Sequence, residues 1–221
     1  MIISRSLLLP IIIMLFGAGC SGVNKSYPER AYFQFEPRYT SAPERPIKGT
    51  VVEFKRFSVS PGSQGTEFIY RIGEFQYQTD FYNQFFKPPS SLLTEAANRW
   101  FDEAGIFEDL LDQMSQVFPN YLIEGNVVKL YGDYRNQSTP KAILEIQLFM
   151  LKINEDDDEP SILFGKTYSV EKPIASMNPT ALMQGWNLAF EEILGEFLLD
   201  VKRNVRGQPK RLSSQGQRDR D

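Results

Sequence analysis

The stretch 141–154, KAILEIQLFMLKIN, places Ala142, Leu144, Ile146, Leu148 and Met150 at every second position, with Glu145 and Gln147 on the opposite face. A period of two turns those five apolar side chains to one side of an extended strand, and such a strand needs cover. The chain supplies that cover at another periodicity. Leu182, Trp186, Ala189, Ile193, Phe197 and Val201 form a stripe along a helix of about six turns, opened by Asn178 as cap and Pro179 as first-turn residue. A strand and a helix of this kind predict helices layered on a sheet. Cys20 is the only cysteine, so no internal disulfide assists and the core must hold the fold alone.

Other segments fit the same frame. Residues 31–35 read as a first strand and 40–46 as a proline-containing loop. Residues 50–59 read as a strand with a bulge near Arg56, ended by Pro61-Gly62-Ser63. Over 67–81, alternation on both sides of Gly73 predicts a hairpin. Its second arm has an apolar face of Phe75, Tyr77, Thr79 and Phe81. After Pro88-Pro89, Ser90 or Ser91 can cap a helix with Leu93, Ala96, Ala97, Trp100, Phe101 and Ala104 on one face, stopped by Gly105. Phe107, Leu110, Leu111, Met114 and Phe118 repeat that spacing and predict a second helix. Residues 121–134 and 162–171 read as further strands. The expected fold is α/β in the layered, α+β sense: a mostly antiparallel sheet with two to three helices packed on it in one domain, 31–203. A polar tail, 204–221, has almost nothing to bury and is expected to be disordered.

The chain contains no histidine, which excludes Ser-His-Asp and Cys-His catalysis and any His-ligated zinc site. No other catalytic signature stands out, so no enzymatic activity and no cofactor are expected. The formal net charge of −4 gives no reason to expect nucleic-acid binding. The acidic run 155–159, EDDDE, lacks the Gly and Glu that a calcium loop counted from Asp156 would need at Ser161 and Thr167; it reads as a solvated loop. In the basic tail, Asp219 and Asp221 dilute the charge, which favours a solubilising role over head-group contact.

The start of the chain reads as an export signal. Arg5 is followed by a ten-residue apolar run, 7–16, broken only by Pro10. That is about half the length a membrane-spanning helix needs. Gly17, Ala18 and Gly19 then precede Cys20, and the segment resembles a bacterial lipobox, in which the cysteine is acylated and becomes the first mature residue. Gly17 stands where that motif usually has Leu. The resemblance implies a signal peptide over 1–19, a lipidated tether over 20–30 and a covalent lipid on Cys20. Ser21 is not the Asp that usually signals inner-membrane retention, which implies the outer membrane, periplasmic face.

Eight of the nineteen residues from Phe68 to Phe86 are aromatic, where the chain average of 13% would give two or three. In DFYNQFFKPP the alternation fails, and one sheet face cannot bury Phe81, Tyr82, Phe85 and Phe86 together. Part of this segment is therefore expected to be an exposed patch of the kind that meets a partner or a lipid.

The segments YRIGEFQYQTDFYNQFFKPPSSLLTEAANRWFDEAGIFEDLL, YLIEGNVVKLYGDY and AILEIQLFML, followed by the terminal helix, resemble the ABC-type transport auxiliary lipoprotein component family over about residues 31–200. Many members carry Trp where this chain has Phe85 or Phe86. The resemblance implies a lipoprotein working beside transporters of the mammalian-cell-entry type, which move lipids between the two membranes of Gram-negative bacteria. The implied partners are a mammalian-cell-entry-domain protein and an ABC permease–ATPase complex, with a homo-oligomer possible. It adds Tyr70 and Arg71, from its Tyr-Arg hairpin, to Phe81, Tyr82, Phe85 and Phe86 as contact candidates. The alternative is a structural lipoprotein that self-assembles for outer-membrane secretion or surface-structure biogenesis.

Overall fold

The structure, a computed structural model, describes residues 29–112, 114–154 and 159–206. The expected signal peptide, Cys20, most of the tether, the tail beyond Arg206 and all of the acidic run except Glu159 lie outside the described residues. At the centre, β7 (Tyr121–Asp133) runs antiparallel to β8 (Lys141–Lys152), and β8 antiparallel to β9 (Ser161–Pro173). The five alternating residues of β8 are each at most 1% exposed. Of the two α-helices among the described residues, α1 (Pro89–Ala104) and α2 (Pro179–Arg206), the second lies along β8 and β9. Asn178 caps it, its side-chain oxygen accepting the Ala181 N–H at 2.8 Å. Trp186 is fully buried against Phe68 and donates its indole N–H to the Ile143 carbonyl at 3.2 Å.

The other edge of β7 is divided. β2 (Ile47–Phe54) pairs with its start, β3 (Ser58–Val59) with its middle and β4 (Glu67–Arg71) with its end, all three parallel to it. Beyond β2 lies β6 (Phe107–Leu111), parallel to it. Beyond β4 lies β5 (Tyr77–Phe85), antiparallel, and then β1 (Ala31–Phe33), parallel to β5. The result is a single α+β domain with a curled, mixed sheet: antiparallel through its long strands, parallel where short ones join β7. Both helices pack on one face of it.

Four local expectations are corrected. The region 107–118 is not a helix. Gly105 ends α1 in the left-handed conformation (φ 63°), and the chain then pairs with the free edge of β2. The outer members of the supposed helical stripe, Met114 and Phe118, are 89% and 92% exposed. In 50–59 the irregularity near Arg56 is a full break between β2 and β3; the bulge lies at Gly49 (φ 78°), where the register of β2 on β6 shifts. There the Thr50 hydroxyl accepts the Glu108 N–H and donates to the Ile47 carbonyl. Neither Ser90 nor Ser91 caps α1; Pro88 takes that position without a side-chain bond, and Pro89, which lacks an N–H to satisfy, opens the helix. At the C-terminus α2 runs on to Arg206, because Val205 still finds a buried site.

The hairpin forms, but its second arm faces the other way. Phe68 and Tyr70 point into the core, and the register pairs them with Asp80 and Gln78. Even-numbered residues of β5 therefore share the inner side over this stretch, which leaves Tyr77 and Phe81 exposed.

Two glycines of α2 give opposite expectations for one substitution. A Cβ on Gly185 would sit 2.6 Å from Ile174 and 2.7 Å from Ala142, whereas one on Gly195 meets nothing within 4 Å. Gly185→Ala is expected to destabilise by about 1–3 kcal/mol through overpacking. Gly195→Ala is expected to stabilise by about 0.5–1 kcal/mol through helix propensity. Urea unfolding of the two variants reads both signs.

Candidate functional site

The hairpin register does not continue to its end. Glu67 pairs with Gln84 while its neighbour Phe68 pairs with Asp80, so Phe81, Tyr82 and Asn83 bulge out of β5. Asp80 holds this bulge. One carboxylate oxygen accepts the backbone N–H groups of Tyr82 (2.9 Å) and Asn83 (3.1 Å); the other accepts the Tyr70 hydroxyl (2.7 Å) and the Asn83 side-chain amide (2.8 Å). Burial works against the charge on Asp80, but these four bonds more than offset it and hold its carboxyl below the usual range.

Tyr70 is in turn fixed by stacking on Tyr134, with ring centroids 4.9 Å apart. Burial, then the bond to Asp80, raises the Tyr70 hydroxyl well above its ordinary value, and burial pushes Tyr134 up to about 12. The Tyr134 hydroxyl is buried without a hydrogen-bond partner among the described residues. Arg71 is committed to the hairpin turn, donating to the Glu74 carbonyl at 2.7 Å and lying 5.8 Å from the Tyr77 ring.

What the bulge displays is a strip of aromatic surface. Phe81 and Tyr82 meet edge to face at 5.3 Å, 60% and 41% exposed. The Arg30 guanidinium lies over the Phe81 ring at 4.2 Å. Two residues on, Tyr32 meets Phe86 at 6.5 Å, and these are 55% and 63% exposed. The structure thus leaves Phe81, Tyr82 and Phe86 exposed in two aromatic pairs linked through residues 30–32, with Tyr70 bonded to Asp80 of the bulge and Arg71 committed to the hairpin turn. Phe85 is separated from them. It lies in the core at 3% exposure, between Phe35, Phe68 and Trp186, on the side of the sheet that carries the helices.

Sequence reasoning missed Arg30, Tyr32 and Asp80. A signal for Asp80 was present: Asp followed by a free N–H two and three residues later, in DFYN, is the pattern of an Asx turn. Among the described residues no three His, Cys, Asp or Glu side chains converge to hold a metal, and no helix is long and apolar enough to cross a membrane. The clefts beside α1 and α2 are lined by mixed charges such as Arg56, Glu95, Arg99 and Asp102.

The fold overlaps that of protein XCC0632 from Xanthomonas campestris, a DUF330 family-model protein, with a TM-score of 0.62 at 16% identity. The overlap covers 79% of this chain and 97% of that one. An uncharacterised protein overlaps with a TM-score of 0.60 at 10% identity, over 78% and 99%. At these identities the likeness shows a shared fold and nothing of activity. Lipoprotein GNA1162 from Neisseria meningitidis overlaps with a TM-score of 0.29 at 8% identity, over 72% of this chain and 99% of that one, too slightly to carry an argument. No family model and no curated protein matches the chain.

Because the folded Asp80 titrates below its unfolded value of about 3.9, its contribution to stability is complete above that value and is lost as pH falls through the folded one. Asp80→Asn is expected to cost about 2 kcal/mol at neutral pH and to flatten the stability curve below about pH 4. Urea unfolding across that range checks both, and an unchanged acid limb would remove Asp80 from its role as the bulge's anchor.

Proposed function

We propose that the chain is an outer-membrane lipoprotein, held on the periplasmic face by a lipid on Cys20, that serves as the auxiliary, docking component of an ABC-type lipid transport system of the mammalian-cell-entry type. The observation that carries this reading is the aromatic strip: a built, exposed apolar surface at the residue where the tether from Cys20 meets the fold. The lipobox-like segment and the family resemblance support it from the sequence side. On this reading the protein does no catalysis and carries no cofactor beyond its covalent lipid. Its work is positional. One acyl chain anchors only marginally, at about 0.8 kcal/mol per buried CH₂, so several chains on one cysteine supply a stable hold. The partners are a mammalian-cell-entry-domain protein and its permease–ATPase complex.

Radiolabelled palmitate is expected to label the wild-type protein in the outer-membrane fraction and to leave Cys20→Ala unlabelled and released. Ser21→Asp is expected to keep the label and move the protein to the inner membrane. Affinity isolation of the labelled protein is expected to bring down the mammalian-cell-entry-domain protein. Recovery of assemblies of this chain alone would instead support a self-assembling structural subunit.

A further inference from the structure

We infer that the strip formed by Arg30, Tyr32, Phe81, Tyr82 and Phe86 rests in the head-group layer of the membrane that holds the lipid anchor. This deepens the reading above and rests on attachment through Cys20. The first argument is where the tether from Cys20 meets the fold. Residues 20–29 span at most about 35 Å when fully extended, and about 18 Å on average if they behave as a flexible linker. The next residue is Arg30, whose guanidinium already lies on the Phe81 ring. The part of the domain brought nearest the bilayer is therefore the strip.

The second argument is facing. Tyr32 lies on β1 and Arg30 comes just before it; each meets an exposed ring of the strip, while Phe33 pairs with Phe85 on the other side of the strand, towards the helices. Arg30 on Phe81 and Tyr32 on Phe86 link two exposed aromatic pairs through the short stretch 30–32, with Tyr32 and Phe86 on the side of the sheet opposite Phe33 and Phe85. The third argument is chemistry. Phenylalanine rings beside tyrosines, whose apolar bodies carry a polar tip, with one guanidinium among them, match the gradient from acyl chain to hydroxyl to phosphate at a membrane interface. Three clefts beside the helices are lined by residues other than those of the strip.

Cys20 is the sole cysteine, so the mature chain Cys20–Asp221 can be coupled through it to a maleimide phospholipid in vesicles of phosphatidylethanolamine and phosphatidylglycerol. Benzoylphenylalanine placed at position 81, 86 or 199 then reports its neighbours on irradiation. Leu199 is 56% exposed on the outer side of α2 and serves as the comparison. Phospholipid adducts at 81 and 86 are expected to exceed those at 199 by about tenfold, equivalent to about 1.4 kcal/mol of preference. Equal yields at the three positions, or no lipid adduct at 81 and 86 on vesicle-bound protein, would overturn the inference. So would cross-links in cells that run from 81 and 86 to an envelope protein in place of lipid. Because the coupling is chemical, the vesicle result stands or falls separately from palmitate labelling in cells.

Discussion

Much of this fold depends on a single glycine. At Gly125, β7 has no side chain, and the Phe57 ring occupies the space, so close that a Cβ there would stand 2.6 Å from it. Dropping Phe57 into the core, where it is 2% exposed, pulls the chain off the ladder between β2 and β3. The Phe57 N–H, lost to β7, is donated to the Thr94 hydroxyl of α1 at 2.9 Å, and that hydroxyl donates to the Ser90 carbonyl at 2.6 Å. Phe57 thus breaks the strand with its side chain and ties the break to the helix with its backbone N–H. With β7's edge shared by three short strands, further strands can join only at its two ends. That is why β6 grows beside β2 while β5 and β1 grow beside β4.

The first strand would be weak if it stood alone, since it has three residues at a sheet edge. Residues 33–44 secure it. The Phe33 carbonyl accepts the Phe86 N–H at 2.8 Å, and Phe35 enters the core against Phe85 and Phe190. The chain then crosses both helices. The N–H groups of Glu36 and Arg38 reach Asn187 and Glu191 of α2, each at 2.8 Å, Tyr39 packs edge to face on Trp100, and the Glu44 N–H reaches the Ala104 carbonyl at 2.7 Å. A domain held from its N-terminus would load this segment first, and the segment is fastened to the core rather than to the sheet edge alone.

The sequence made the long elements legible because each carries its own burial pattern. The β8 alternation and both helical stripes are local, and every apolar position assigned to them is buried. What failed was decided by partners far along the chain. Phe107, Leu110 and Leu111 satisfy helical spacing and a strand equally well, and only the free edge of β2 settles which forms. The three parallel joins to β7 leave no trace in any single segment. The candidate site was half legible. Its excess of aromatics announced exposure, but which rings are exposed depends on a register that composition does not encode.

That register is also the strongest sign that the strip is no accident of folding. A regular hairpin continued past Asp80 would turn Tyr82, Gln84 and Phe86 towards the core and leave Phe81 and Phe85 outside. Three extra residues, an odd number, reverse the facing. Phe85 enters the core beside Trp186, and Phe86 is sent outward to Tyr32. Core packing needs only that reversal, which one bulged residue would supply. The remaining length lifts Phe81 and Tyr82 into solvent, where they contribute little burial, and it takes all four bonds of a partly buried carboxylate to hold them there. A segment that gives up ladder pairing to display two rings forms a surface that core packing alone does not require.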